Sequence, residues 1–161
     1  MNQLGGFPIL TLLVVVPVLG ALLSLLIRAQ RRETLRWLTL LVAATDLFIA
    51  LFLYMGWVND VLGGYQFVDG PWPWIPSLGI EYHLGVDGLS LHAVLLAAAL
   101  VQTALLVAWS QDRDPTEDRP LAFWMLLFEG TALGGLTSLT PFLMAVFWLS
   151  ALVAATFLVA H

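Results

Sequence analysis

The sequence predicts an all-α polytopic membrane protein, and three observations lead there. Of 161 residues, 60% are hydrophobic and only 11% charged, where a soluble domain is about half apolar and about a quarter charged. The mean hydropathy is +0.92. Five apolar runs reach the roughly 20 residues with which a helix crosses ~30 Å of hydrocarbon. They do not alternate as barrel strands do, and lipid admits only helices and closed barrels. So few ionisable groups cannot wet a water-soluble fold of this size, which excludes a soluble enzyme.

The first run covers about residues 7–27 and stops at Arg28. Its leading segment carries no base and the run exceeds a signal-peptide core, so it is expected to be a retained helix. The second covers about 35–57 and contains one acid, Asp46; the third covers about 89–109. The fourth covers about 121–139 with Glu129 near its middle, and the fifth about 142–160. Between the second and third runs, residues 58–88 form a long loop. Pro71, Trp72, Pro73, Trp74 and Pro76 give it the character of the headgroup zone, where indoles sit half-wet. Alternation over Ile80–Leu84 suggests one short strand of a hairpin, and Asp87 is placed to cap the third helix. No repeat interrupts what reads as a single membrane domain, 1–161.

Orientation follows from the cations, all six of which are arginine. Arg28, Arg31, Arg32 and Arg36 lie in the first connection and Arg113 and Arg119 in the third. The preference of basic residues for the cytoplasm then places the N-terminus and the long loop outside and the C-terminus inside.

The absence of cysteine removes disulfide, thiolate-metal and cysteine-nucleophile chemistry. A net charge of −5 without a basic stripe gives no footprint for nucleic acid. His83, His92 and His161 are too scattered for a metal cluster; no metal, cofactor or catalytic residue is expected in the chain. His92 reads as a capping or interfacial group and His83 as solvated. Asp112, Asp114, Glu117 and Asp118, around Arg113 and Arg119, lack the spacing of a calcium loop and read as a polar connector. Asp60, Asp69, Glu81 and Asp87 are irregularly spaced and read as a solvated surface. Trp109, Trp124 and Trp148 suit belt or packing roles.

Glu129 and Asp46 sit deep in spans, where an acid marks function by default. Each is read either as a proton relay or as a neutral acid hydrogen-bonded between helices. Against a full pathway stands the absence of any lysine, the usual tunable base. Gly130, Gly134 and Gly135 make a small-residue face for close helix packing, and with Ala97, Ala98 and Ala99 it is expected to face larger partners.

The stretch Trp74-Ile75-Pro76-Ser77-Leu78-Gly79 followed by Gly85-Val86-Asp87-Gly88-Leu89-Ser90-Leu91 resembles the loop and third-helix entrance of the NuoM/NdhD-type antiporter-like subunit of complex I. Related Mrp-type antiporter subunits share this region. The likeness continues through Phe123 to Glu129, Leu133-Gly134 and Val146-Phe147-Trp148, and covers the first third of such a subunit. The resemblance implies family-motif positions at Gly85, Asp87, Gly88, Ser90 and Trp148. It also implies a glutamate after Trp148, partnered in proton transfer by a lysine on a later helix; here that position is Leu149. Thr140 stands where an aspartate commonly opens the fifth helix. The implied role is a non-catalytic accessory membrane subunit of a complex I-like NAD(P)H or ferredoxin:quinone oxidoreductase. Its partners would be that assembly's other membrane subunits and lipid, in a bacterial cytoplasmic or thylakoid membrane. The alternative is the N-terminal part of a split proton or cation antiporter subunit that translocates ions with a second chain.

Overall fold

Each apolar run is helical in the computed structural model, which describes residues 8–28, 31–57, 64–111 and 114–160. Helices α1 (Ile9–Leu26), α2 (Arg32–Met55), α3 (Gly88–Ser110), α4 (Pro115–Thr137) and α5 (Pro141–Ala160) are joined by short turns, except between α2 and α3. There, strands β1 (Gln66–Ile75) and β2 (Ile80–Val86) form an antiparallel hairpin closed by a 3₁₀ turn at Pro76–Leu78 and by Gly79 in the left-handed region. The arginines of the first connection mark one end of the bundle and the hairpin the other. His161, Asp60, Asp112 and Arg113 lie outside the described residues.

Four of the five helices are long and apolar enough to cross a membrane, which makes this an integral membrane protein; α4 is not among the four. All five expected helices are present, and the lower hydropathy of α4 has a reason visible in the packing. Helix α4 starts at Pro115, earlier than the apolar pattern suggests, and takes Glu117, Asp118 and Arg119 into its first turns. It packs against α1, α2, α3 and α5, most extensively against α1 and α5. From Leu121 to Thr137 no residue is exposed. The other four helices carry the exposed leucines, valines and phenylalanines that suit lipid, such as Leu22, Phe48, Leu100 and Leu152. A helix enclosed by protein has no need of an apolar exterior, and Glu129, Thr131 and Thr137 are admitted on it.

The glycines of α4 explain how closely its neighbours approach. A Cβ on Gly130 would lie 2.9 Å from Pro17 Cγ and 3.0 Å from the carbonyl oxygen of Val14 in α1. On Gly134 it would meet the Phe147 ring at 2.8 Å, and on Gly135 the Trp148 indole at 3.1 Å, both in α5. These faces are therefore filled by the chain's own helices. The expectation that they await an outside partner is corrected, and Ala98 likewise is buried in the core.

The hairpin is not a loose outer loop. The hairpin expected from Ile80–Leu84 is present, and Pro71, Trp72, Pro73 and Trp74 form part of its first strand, β1, where Trp72 pairs with Tyr82 and stacks on its ring. The free edge of β2 pairs with the α4–α5 turn: Leu139 N–H donates to the His83 carbonyl at 2.9 Å and Thr140 Oγ1 to the Glu81 carbonyl at 2.9 Å. Gly85 permits this approach, since a Cβ there would lie 2.7 Å from Leu139 Cδ1. Phe67 takes a positive φ of 52°, a strained conformation for a bulky residue. Its buried ring packs with Leu53, Leu84, Val86 and Leu91.

Candidate functional site

Polar contacts tie this apolar molecule together at each end, and two buried acids lie in its middle.

At the hairpin end, α1 opens after Pro8, which offers no capping side chain. Its first-turn N–H groups need an acceptor, and Asp69 of β1 supplies one from 58 residues away. Asp69 Oδ2 accepts from Thr11 N at 2.7 Å and from Thr11 Oγ1 at 3.1 Å. Tyr82 Oη donates to Thr11 Oγ1 at 3.4 Å. Asp69 is 2% exposed, which corrects its assignment to a solvated surface. Desolvation holds its carboxyl above the usual carboxylate range, against the lowering effect of the Thr11 hydrogen bonds. Burial also pushes the Tyr82 phenol up, and the Asp69 charge adds to the rise. The uncapped sequence around Pro8 was the available signal for this node.

Asp87 and Ser90 form a reciprocal capping box on α3: Ser90 N donates to Asp87 Oδ1 at 2.7 Å and Asp87 N to Ser90 Oγ at 2.8 Å. Those bonds hold the Asp87 carboxyl below its usual range. His92 bonds the Gly88 carbonyl and meets the Tyr54 ring edge-on. The motif positions Gly85, Asp87 and Ser90 thus have local structural work, while Gly88 makes only ordinary contact with Trp57.

At the arginine end, Arg32 Nε lies 3.2 Å from Asp118 Oδ2, and its guanidinium donates to the Gln111 carbonyl at 2.8 Å. This ties the ends of α2, α3 and α4. Asp118 is fully buried, which corrects its reading as part of a solvated connector. Beside it, Trp109 Nε1 donates to Thr39 Oγ1 at 2.9 Å. Asp114 caps α4 by accepting from Thr116 N at 2.9 Å, and those bonds hold its carboxyl below the usual range.

In the middle lie Asp46 of α2 and Glu129 of α4. They are 0% and 1% exposed, and all four carboxyl oxygens lack a hydrogen-bond partner among the described residues. That corrects the reading of either acid as hydrogen-bonded between helices. The Arg32–Asp118 pair sets α2 and α4 in parallel register. Asp46 lies 14 residues beyond Arg32 and Glu129 11 beyond Asp118, rises of about 21 and about 16 Å. The two acids fall about one helical turn apart in depth, and Glu129 is one of the electrostatic influences on Asp46. Gln102 Oε1 on α3 is also buried without a partner among the described residues. By contrast Leu149 faces out from α5, 63% exposed, and Trp148 beside it packs on Gly135. No group of three or more potential metal ligands occurs among the described residues.

No protein-family model matches the chain. Individual proteins do. It is 32% identical over 142 residues, 88% of the chain, to NAD(P)H-quinone oxidoreductase chain 4 2 of Trichodesmium erythraeum. It is 40% identical over 109 residues, 67% of the chain, to chain 4 1 of a Picosynechococcus species. It is 30% identical over 148 residues, 92% of the chain, to the chloroplastic chain 4 of Chara vulgaris. The chain is a relative of NAD(P)H-quinone oxidoreductase chain 4. It spans 25%, 20% and 29% of the length of these three chain 4 proteins. The likeness to chain 4 agrees with the motif resemblance read from residues 74–91.

Proposed function

We propose that the chain is a non-catalytic membrane component of a complex I-like NAD(P)H or ferredoxin:quinone oxidoreductase, packed among the other membrane subunits and lipid. The carrying observation is Leu149. Where the resemblance implies a proton-transferring glutamate, the chain has an apolar side chain turned outward from α5. In this reading the chain needs no cofactor of its own. The arginine end faces the cytoplasm or its thylakoid equivalent, with the N-terminus and the hairpin on the opposite side.

The test is a C-terminal tag, mild solubilisation, and native gel with mass spectrometry. Co-migration with NADH- or ferredoxin-oxidoreductase subunits is the expected result; migration alone refutes it. Because the chain has no cysteine, Ser77→Cys at the exposed hairpin tip reports orientation through an impermeant maleimide. Labelling from the cytoplasmic side would reverse the assignment.

A second reading, part of an ion-translocating antiporter subunit completed by a second chain, is favoured by the buried acids Asp46 and Glu129. It requires Glu129→Gln to lower proton transfer while leaving assembly intact. Under the first reading, Leu149→Glu creates no pumping.

A further inference from the structure

The arginines of the first connection are not equally provided with counter-charge. Arg32 is held by Asp118 and by the Gln111 carbonyl. Arg28 and Arg31 are exposed and have no acid partner among the described residues. The Arg31 N–H donates to the Arg28 carbonyl at 2.9 Å, so a tight turn sets one guanidinium at the end of α1 and the other at the start of α2. With Leu26, Ile27 and Thr34 they line an open recess of about 350 Å³, within the range of roughly 300–1,000 Å³ for small-molecule sites. No acid lines it. A neighbouring recess of about 240 Å³, between α2 and α3, differs on that point: Glu33 lines it beside Arg32 and Arg36.

Two guanidiniums and a hydroxyl lining one recess suit an anion with several oxygens, and the guanidinium fork pairs bidentately with phosphate. The surface beneath the recess indicates what carries that anion. On α1, Leu22 lies one turn deeper than Leu26, and the two are 52% and 81% exposed. On α2, Trp37 and Leu41 follow Thr34 at three and seven residues, on its side of the helix, and are 61% and 62% exposed. An apolar stripe thus runs from the recess toward the middle of each helix. Positive charge at the rim with apolar surface below it matches an amphiphile with an anionic head. We propose that Arg28, Arg31 and Thr34 bind the phosphate of an anionic phospholipid whose acyl chains lie along Leu22, Leu26, Trp37 and Leu41. Basic recesses between membrane helices take such headgroups. The inference goes beyond the proposed function and requires only that α1 and α2 span a bilayer, as their length and hydropathy allow.

The test titrates the full chain in detergent with dioleoylphosphatidylglycerol or dioleoylphosphatidylcholine and counts bound lipid by native mass spectrometry. Phosphatidylglycerol is expected to bind roughly tenfold or more tightly than phosphatidylcholine, whose choline offsets the phosphate charge. Arg28→Gln and Arg31→Gln should each weaken phosphatidylglycerol binding about fivefold, the attraction of one basic residue to an anionic lipid surface. Arg36→Gln removes the same charge at the same end of the bundle but from the other recess, and should change the affinity less than about twofold. Helical circular dichroism checks each variant; if Arg28→Gln unfolds, Arg31→Gln against Arg36→Gln carries the comparison. Equal affinity for the two lipids overturns the proposal. Equal weakening by all three substitutions also overturns it, in favour of diffuse attraction. Displacement of the lipid by inorganic phosphate at equal concentration overturns it in favour of a free-phosphate site.

Discussion

Replacing Gly130 by alanine tests the α1–α4 contact around which the bundle is built. The added methyl would stand 2.9 Å from Pro17 Cγ, 2.9 Å from Val18 Cγ2 and 3.0 Å from the Val14 carbonyl oxygen. Ordinary carbon–carbon contact begins near ~3.5 Å, so the helices must part by roughly 0.6 Å or strain in place. Little can yield: a proline ring, a backbone carbonyl and a branched side chain that is stiff at χ1. Overpacking of this kind costs about 1–3 kcal/mol, and the better helix propensity of alanine returns about 0.8–1 kcal/mol. A net loss of up to about 2 kcal/mol is expected. Gly135→Ala is the matched control, with the same propensity gain against an indole that is partly exposed and free to swing. Denaturant unfolding in detergent, followed by helical circular dichroism, should rank Gly130→Ala below Gly135→Ala and wild type. Equal or greater stability of Gly130→Ala would refute the argument that this glycine sets the distance between α1 and α4.

Asp69→Ala removes the acceptor for two Thr11 donors and should cost about 1–2 kcal/mol in the same assay. Because the Asp69 carboxyl is held above its usual range, the folded state favours its protonated form. Stability from this residue is present at low pH and falls as pH rises through the folded value, and Asp69→Asn should flatten that slope. Asp87 carries the opposite sign. Its lowered carboxyl stabilises α3 at neutral pH, so Asp87→Ala costs about 1 kcal/mol there. The difference from wild type should close as pH falls through the Asp87 folded value, as unfolding at a series of pH values would show. Trp109→Phe deletes the buried bond to Thr39 and should cost about 0.5–1.5 kcal/mol, since Thr39 keeps its bond to the Arg36 carbonyl.

The five helices were legible because a lipid-facing run has to be long and apolar, and nothing in tertiary context overrides that need. The limits of α4 were less so. Pro115 and Pro120 look like stops, yet proline is tolerated near a helix start, and Asp114 and Asp118 anchor the added turns. Strand β1 was hidden by Pro71 and Pro73; proline is admitted at a sheet edge or bulge, and the pairing with β2 is irregular there. The capping role of Asp87 could be read from its position before an apolar run. That of Asp69 could not, because its target lies 58 residues away and only the docking of the hairpin on α1 brings them together. The glycines announced close approach without saying to which helix. The two intramembrane acids stood out as anomalies, but their placement within about a turn of each other depends on a register set by Arg32 and Asp118.

The enclosure of α4 bears on how the protein enters its membrane. Helices α1, α2, α3 and α5 can each partition into lipid on their own hydropathy. Helix α4 falls short of that hydropathy, with Glu117, Asp118 and Arg119 in its first turns and Glu129 at its centre, and a central acid alone adds about 2.5–3.5 kcal/mol on entering bare hydrocarbon. Of the helices that enclose it, α1, α2 and α3 are synthesised before it and α5 after it. The expected order of biogenesis is sequential, with three helices offering α4 a protein surface and α5 completing the enclosure. Variants that loosen the early trio would then be recognised by the cell as α4 left on the wrong side of the bilayer.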